Sequence, residues 1–308
     1  MVNNKKIVLV SGYGWSGSGL LIDILKSLDE FYHFPIETRF IKDKNGLIDL
    51  YNSKNSFNYG ITLEKFNRLC LILARKNFIK YGMNYDLNSN NSFTKIYKNF
   101  VNNISEINYL SDAFVFNYEN NFFQNILWKF YRKIGLNYRF KKYYIRPENE
   151  FFKKEIQSFI NNFCESLTTK NYVILDQAID PADWKEFSWM FTNAKLIVVD
   201  RDPRDIYVDY KKSKDVLFDP QSFIEYFKKS RNNNSCDSSN VLNLRFEDLI
   251  NNYDFNARKI ISFLEIKNDN NFSNYDISKS MKNIGIHKNY EIESDINFIE
   301  QKLKRFCI

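Results

Sequence analysis

The chain has 308 residues, 44% of them hydrophobic, and a net charge of +7, which suits one elaborated α/β domain or a domain with a sizeable insert. Its Lys and Arg residues are spread along the chain among Asp and Glu, without a basic arm or zinc-finger spacing, so we expect no nucleic-acid partner. Four scattered Cys and two His residues predict reduced thiols in a cytoplasmic protein and no metal site, and no apolar run is long enough for a signal peptide or a membrane-spanning helix.

The first predicted element is a strand at residues 7–10, followed by a glycine-rich loop that opens into a helix. The loop holds Gly12, Gly14, Gly17 and Gly19. Glycines let backbone N–H groups approach an anion, and the N-terminus of the helix adds a positive partial charge. Serine hydroxyls between the glycines can donate as well. The layout therefore predicts a site for a phosphorylated or sulfated ligand.

Two interpretations of this loop follow from the residues alone. An NTP-binding Walker loop needs a Gly-Lys-Ser/Thr ending. Here Gly17 is followed by Ser18, so the lysine that would reach the terminal phosphates is missing and this interpretation is poor. A dinucleotide fingerprint is present in Gly12, Gly14 and Gly17, with Glu37 at about the distance of a ribose-binding carboxylate. A nicotinamide- or flavin-dependent oxidoreductase therefore stays an alternative. It predicts a second strand at 34–40 beside the first strand.

The region from about residue 51 to 168 is predicted to be a helical insert in a single domain spanning residues 1–308. Its helical patterns lie around 62–80, 92–108, 120–134 and 150–167. Most of its many Phe and Tyr residues are expected to pack in a core. Exposed ones could stack on sugar rings.

Strands and helices alternate again from residue 171. The predicted strands lie at 172–176, 195–201 and 241–246. The predicted helices lie at 181–191, about 203–212, 220–231, 246–251, 254–265 and 293–305, with a polar linker at 231–240 and a loop at 277–290. Asp202 and Pro203 form an N-cap and first helical residue. This alternation predicts a parallel sheet covered on both faces.

Four segments carry a family resemblance in the expected order. After the glycine loop come LIVVDRDPRDIYVDY (196–210), LRFEDLINNYDFNARKIISFLEI (244–266) and MKNIGIHKN (281–289). Together they resemble the sulfotransferase family and leave roughly 51–168 uncovered. The resemblance implies a P-loop-like sulfotransferase fold with a large helical insert, and 3′-phosphoadenosine 5′-phosphosulfate (PAPS) as the sulfuryl donor, without a metal.

The resemblance also implies which residues bind the donor. Arg201 takes the place of the arginine that binds the 3′-phosphate of PAPS. The implied donor-binding residues are Gly14, Trp15, Ser16, Gly17, Ser18, Gly19, Leu20, Arg201, Ser213, Arg245, Lys282, Gly285 and Lys288. Two positions depart from the family. Trp15 stands where many members have Lys or Arg, and Asp209 stands where a phosphate-binding Ser is usual, so Ser213 is expected to replace that contact.

For the chemistry, the resemblance places a general base on the loop after the first helix. Glu37 matches that base, with His33 as its competitor. Arg39, and behind it Lys288, are the candidate cations for the transferring group, and Asp176 with Gln177 is expected at the acceptor. The implied activity is sulfuryl transfer from PAPS to a carbohydrate hydroxyl, as in polysaccharide biosynthesis. A non-catalytic nucleotide- or glycan-binding protein of the same fold is the other alternative.

Overall fold

The computed structural model describes residues 5–75, 83–111, 121–135, 141–145, 151–213, 219–231, 239–266 and 276–308. The chain divides into two compact units. We call Met1–Arg39 together with Cys164–Ile308 the sheet unit, and Phe40–Phe163 the helical unit. The insert predicted at about 51–168 stays a prediction.

The elements alternate between strands and helices in the sheet unit and are mostly helical in the helical unit. The strands are β1 (Lys6–Gly12), β2 (Phe31–His33), β3 (Ile107–Ser111), β4 (Lys141–Ile145), β5 (Tyr172–Asp176), β6 (Ala194–Asp200) and β7 (Val241–Arg245). The helices are α1 (Ser18–Lys26), α2 (Arg39–Lys42), α3 (Leu47–Asn52), α4 (Tyr59–Ala74), α5 (Tyr85–Asn88), α6 (Phe93–Asn103), α7 (Phe122–Lys133), α8 (Phe152–Leu167), α9 (Trp184–Phe187), α10 (Pro203–Ser213), α11 (Pro220–Arg231), α12 (Phe246–Asn251), α13 (Tyr253–Leu264), α14 (Ser278–Met281) and α15 (Glu293–Leu303).

The sheet unit is built on a five-stranded parallel sheet with the order β2-β5-β1-β6-β7. The central strand β1 is covered on both faces, so its apolar run is continuous and does not alternate. Leu9 is fully buried and pairs with Leu175 on one side and Leu196 on the other. The predicted α/β class with a parallel sheet is confirmed, and the four strands predicted in this unit lie within two residues of their expected ends.

The connections leave β1 and β6 in opposite directions. From β1 the chain passes through α1 to β2, which lies beyond β5. From β6 it passes through α10 and α11 to β7 at the other edge. Ligands of open α/β sheets bind in the crevice outside the carboxyl ends of strands where such a switch occurs. The glycine loop after β1 and the residues after β6 border this crevice.

The strand arrangement contradicts the dinucleotide interpretation. In that fold the acidic residue ends a strand adjacent to the first strand. Here β2 ends at His33 and pairs with β5, and the neighbours of β1 are β5 and β6. The strand predicted at 34–40 is therefore wrong, and Glu37 does not end a neighbour of β1.

Two apolar clusters hold the helices of the sheet unit. One packs α1, α12 and α13 on the face of the sheet that carries Val8, Val10 and Ile197. The other joins α10, α11 and α15 through buried residues that include Phe223, Phe227 and Ile299. The helix predicted at 181–191 is interrupted. It consists of a 3₁₀ turn, the four-residue α9 and a second 3₁₀ turn. Its buried residues Trp184, Phe187 and Met190 are three apart, which matches three residues per turn.

The helical unit has an aromatic core. Phe100 stacks on Phe159 with ring centroids 4.7 Å apart, and Phe40 packs between Phe159 and Phe163 at 5.2 Å from each. Core packing therefore accounts for these rings, as expected. The helix predicted at 92–108 ends at Asn103, and its last two predicted residues belong to β3, which pairs antiparallel with β4. The end of the helix predicted at 62–80 and most of the 231–240 linker lie outside the described residues.

Candidate functional site

The glycine loop wraps the N-terminus of α1 in a left-handed backbone. Gly14, Trp15 and Gly17 have φ angles of 76°, 51° and 84°. Gly17 is the N-cap of α1 and offers no side chain, and the first turn of α1 contains no acidic residue. A Cβ at Gly17 would overlap the ring of Phe246. The helix therefore opens toward the crevice with its amide donors and positive dipole end unopposed by an acidic side chain.

Several residues at the start of α1 already contact other parts of the protein. Ser16 is buried, and the hydroxyl of Ser18 accepts a hydrogen bond from Nε2 of Gln177 at 3.4 Å. The Leu20 amide donates to the Gly17 carbonyl at 3.1 Å, and the Leu20 side chain lies in the core. Because the Leu20 side chain is buried, only its backbone amide could contact a ligand, and that amide already donates to the Gly17 carbonyl. An added Cβ at Gly19 meets open space.

Tyrosines hold the loop from α10 and α11. The hydroxyls of Tyr210 and Tyr226 donate to the carbonyl of Tyr13 at 3.5 and 3.3 Å. The Trp15 ring packs edge-on against Tyr210, with centroids 6.2 Å apart, and is 44% exposed. An exposed aromatic ring thus lies at the edge of the glycine loop.

Arg201 connects three segments of the sequence. Its Nη1 donates to the Trp15 carbonyl at 3.2 Å and to Oδ2 of Asp209 at 2.6 Å, and its Nη2 donates to the Asn283 carbonyl at 2.5 Å. The guanidinium lies over the Phe246 ring, 5.1 Å from its centroid, and Arg201 is 3% exposed. Phe246, in turn, is the ring that Gly17 faces. One guanidinium therefore joins the glycine loop, the end of β6, α10 and the C-terminal loop.

Asp205 fixes the C-terminal loop beside Arg201. Its carboxylate accepts hydrogen bonds from the Gly285 amide at 2.7 Å and the His287 amide at 3.0 Å, and it lies 2.5 Å from Nδ1 of His287. Burial by itself raises the pKa of Asp205, but the bonds from His287 and Gly285 and the nearby Arg201 together hold it below its usual value. The predicted loop is thus held against α10 through Gly285, whereas Lys282 and Lys288 are exposed.

The carboxylate of Asp209 accepts a hydrogen bond from Nη1 of Arg201. A phosphate bound at Nη1 of Arg201 would compete with the carboxylate of Asp209 for that donor. Among the described residues, Nε of Arg201 is buried without a hydrogen-bond partner. The Ser213 hydroxyl donates to the Tyr210 carbonyl at 2.9 Å. The expected contact of Ser213 with a phosphate stays a prediction.

The other arginines near the site bind protein groups. Arg204 donates to Asp202 through Nε at 3.0 Å and Nη2 at 2.7 Å, while Asp202 caps α10 by accepting from the Arg204 amide. Arg245 donates through Nη2 to the Phe306 carbonyl at 2.8 Å. This contact directs Arg245 to the C-terminal segment, so its implied role in donor binding gains no support from its hydrogen bonds.

A chain of hydrogen bonds links the Glu37 loop to the first turn of α1. The Thr38 amide donates to the Asp176 carbonyl at 2.9 Å, and the next residue, Gln177, reaches the Ser18 hydroxyl. Glu37 and Arg39 form an ion pair and each side chain is about 40% exposed. Glu37 therefore lies on the same edge of the sheet as the glycine loop, held there by the end of β5.

His33 lies toward the other end of α1. Burial and the positive charge of Lys26 lower its pKa to about 4, with Asp23 acting in the opposite direction. Both charged residues are in the second half of α1, away from Ser18. His33 therefore lies farther than Glu37 from the first turn of α1, and its role as the competing base stays a prediction.

Several residues that shape the site were not singled out by sequence analysis. They are Phe246, Tyr210, Asn283, Asp205 as a loop anchor, and His287. Phe246 and Asn283 belong to the matched segments, so those segments were the available signal. Within the described ranges, no group of three or more His, Cys, Asp and Glu side chains is placed to hold a metal. No helix in that part of the chain is long and apolar enough to cross a membrane.

Comparisons with known proteins give distant structural likenesses. No family model and no curated protein matches the chain. The sulfotransferase domain from the Synechococcus PCC 7002 olefin synthase is similar at 12% identity and a TM-score of 0.44, over 96% of this chain and 93% of that one. The sulfotransferase domain from the curacin biosynthetic pathway has 14% identity and a TM-score of 0.44, over 87% and 76%. Sulfotransferase STF9 from Mycobacterium avium has 10% identity and a TM-score of 0.40, over 100% and 78%. With likenesses this distant, the function has to be argued from the chain's own residues.

Proposed function

We propose that this protein is a sulfotransferase that moves the sulfuryl group of PAPS to a carbohydrate hydroxyl, for example on a cell-surface glycan. One observation carries the proposal. Arg201 hydrogen bonds to the Trp15 carbonyl and to the Asn283 carbonyl, and it packs on Phe246. The four segments on which the family resemblance rests therefore meet at one guanidinium, at the carboxyl ends of β1 and β6.

The glycine loop provides the anion site of this proposal. Sulfuryl transfer needs a held anion, an in-line acceptor oxygen and stabilisation of the leaving oxygen. Amides at the start of α1 and the hydroxyl of Ser18 are suited to hold the phosphosulfate group. The loop residues Gly14 and Gly17 allow that approach because their backbones are left-handed. PAPS supplies the sulfuryl group when it is bound.

Glu37 is the proposed general base. Its loop is fastened to Asp176 and, through Gln177, to Ser18, so the carboxylate lies on the edge where the donor would bind. Deprotonation of the acceptor by a positioned carboxylate contributes typically about 10²–10⁴ in rate. Arg39 pairs with Glu37 and is the nearest candidate for the cation that Trp15 does not supply, with Lys288 as the second.

A non-catalytic nucleotide-binding protein is the second candidate. Its support is the ion pair between Arg201 and Asp209, together with Trp15 at the position of a catalytic cation. Both features weaken the usual donor chemistry without removing the anion loop. This candidate expects nucleotide binding without turnover.

The experiment that tests the proposal follows the transfer of radiolabelled sulfur from PAPS to a panel of polysaccharides and oligosaccharides. We expect label on at least one acceptor and release of 3′-phosphoadenosine 5′-phosphate. Tight binding of that product with no transfer to any acceptor, including phenols and aliphatic alcohols, would favour the non-catalytic candidate. Transfer to small alcohols but to no sugar would contradict the carbohydrate acceptor and leave the proposed sulfuryl transfer standing.

A further inference from the structure

Helix α7 presents its apolar residues to solvent. Its start is fixed locally by a capping box, in which Asn121 accepts from the Gln124 amide at 2.9 Å and Gln124 accepts from the Asn121 amide at 3.1 Å. No residue of α7 is buried. The large apolar side chains that are exposed on and just after it are Phe122, Phe123, Ile126, Leu127, Phe130 and Ile134. Phe123 is 74% exposed.

The side of the helix opposite the exposed apolar residues is the side that is partly covered. Asn125, Trp128 and Tyr131 are half-buried and lie three residues apart, which puts them on one side of the helix. Arg132 lies over the Trp128 ring, 5.2 Å from its centroid. An amphipathic helix of a globular protein normally turns its apolar face to the core. Here that face is turned outward.

The net positive charge of the chain is concentrated in the stretch of sequence that contains this helix. Residues 120–147 contain no Asp or Glu. The basic residues in that stretch are Lys129, Arg132, Lys133, Arg139, Lys141, Lys142 and Arg146. The net charge of the whole chain is +7, so the rest of the chain holds equal numbers of basic and acidic residues. Residues 120–147 are therefore an exception to the expected mixing of Lys and Arg with Asp and Glu.

We propose that α7 docks the protein on the surface of an anionic lipid bilayer. A helix with an outward apolar face rich in Phe, Leu and Ile, and with Lys and Arg beside it, lies in the interfacial plane of a membrane. Its apolar residues enter the headgroup boundary. The cations Lys129, Arg132 and Lys133 remain at the level of the anionic headgroups, where each contributes to attraction.

Charge decides between lipid and the other occupants of such a face. A second copy of this chain seated on α7 would bring two sets of Lys129, Arg132 and Lys133 together without a single acidic residue from either helix, and like charges repel. A nucleic acid would match the charge but would leave the aliphatic and aromatic face in water. An anionic bilayer satisfies both the apolar face and the cations.

The test is sedimentation of the full chain with vesicles of phosphatidylcholine alone or of phosphatidylcholine mixed with phosphatidylglycerol. We expect binding to the mixed vesicles that falls with added salt. The triple variant Lys129→Gln, Arg132→Gln and Lys133→Gln should bind about 100-fold less well, at about fivefold for each cation. The double variant Phe123→Ser and Phe130→Ser should bind at least about tenfold less well.

Matched control variants make the same kinds of substitution at exposed positions outside α7. The triple variant Lys228→Gln, Arg258→Gln and Lys259→Gln makes the same change in net charge at exposed positions of the sheet unit, and Phe57→Ser removes a ring that is 93% exposed elsewhere in the helical unit. Both should bind vesicles as the wild type does.

Three results would overturn the proposal. The first is equal binding to neutral and anionic vesicles, or no binding to either. The second is a dimer in light scattering that becomes a monomer in the Phe123→Ser, Phe130→Ser variant, because a second copy then covers the face. The third is a lower melting temperature for that variant, because the face is then packed within the folded chain.

Discussion

The guanidinium of Arg201 and the carboxylate of Asp209 form an ion pair, with Nη1 and Oδ2 2.6 Å apart. Arg201 directly follows β6 and Asp209 lies on α10, so the pair fastens the helix to the carboxyl edge of the sheet. The Arg201 side chain is 4% exposed and that of Asp209 is 26% exposed. An internal anion thus already occupies one donor of the cation that the family resemblance assigns to the 3′-phosphate of PAPS.

This pair predicts that Asp209 weakens binding of a 3′-phosphate. Replacing Asp209→Ser removes a like charge and frees Nη1 of Arg201, so affinity for 3′-phosphoadenosine 5′-phosphate should rise on the order of tenfold or more. Affinity for adenosine 5′-phosphate, which lacks the 3′-phosphate, should change much less. Calorimetry with both nucleotides measures the difference, and Asp23→Ser at an exposed position is the matched control. Weaker binding of both nucleotides by Asp209→Ser would contradict the prediction.

The glycine loop offers a pair of variants that separate backbone strain from helix propensity. Gly17→Ala forces an alanine into a left-handed backbone and against the Phe246 ring, so the free energy of unfolding should fall by about 1–3 kcal/mol. Gly19→Ala adds a Cβ to open space within α1 and should raise the free energy of unfolding by about 0.5–1 kcal/mol. Urea denaturation without ligand measures both. Equal effects of the two changes would mean that the left-handed turn at Gly17 is not required.

Much of the sheet unit is predictable from sequence because its strands are short apolar runs between turns. Residues 7–10, 172–176 and 195–201 fit buried parallel strands and form β1, β5 and β6. The β3–β4 pairing was not predictable, because its paired residues are 30 or more positions apart and neither segment alternates clearly between apolar and polar residues. The order of the strands in the sheet also could not be predicted from local sequence patterns. This order contradicts the dinucleotide interpretation.

For the site, sequence analysis identified the loop, Arg201 and the C-terminal loop, but not what they contact. The direction of a side chain depends on tertiary packing, so the pairing of Arg201 with Asp209 and of Asp205 with His287 could not be read from spacing. The contact of Arg245 with Phe306 depends in the same way on where the chain's last helix packs. The outward face of α7 is the reverse of what its amphipathic pattern predicts.

His33 predicts a pH dependence of stability. Its pKa is lowered to about 4 in the folded chain from an ordinary 6.5, chiefly by burial. Between these two values the unfolded chain binds a proton that the folded chain does not, so stability is lost as pH falls from about 6.5 to about 4. His33→Gln should remove this part of the pH dependence. Urea denaturation of both proteins across that range measures it, and identical slopes for wild type and variant would contradict the lowered pKa.

Glu37 predicts a loss of turnover without a loss of binding. Glu37→Gln keeps the shape of the side chain but cannot accept a proton, so the rate of transfer should fall at least about 10²-fold. Affinity for 3′-phosphoadenosine 5′-phosphate and the melting temperature should stay close to wild type. Glu186→Gln, at an exposed position of the sheet unit, is the matched control. Retained turnover in Glu37→Gln together with its loss in folded His33→Gln would assign the base to His33.

The central claim is that the glycine loop and Arg201 form a site for the nucleotide of PAPS. Calorimetric titration of the wild-type protein with 3′-phosphoadenosine 5′-phosphate tests it most directly, since neither an acceptor nor turnover is needed. We expect saturable binding of one nucleotide per chain that PAPS competes for, and no comparable binding of NAD. No heat of binding at millimolar nucleotide, with saturable binding of NAD, would contradict the claim.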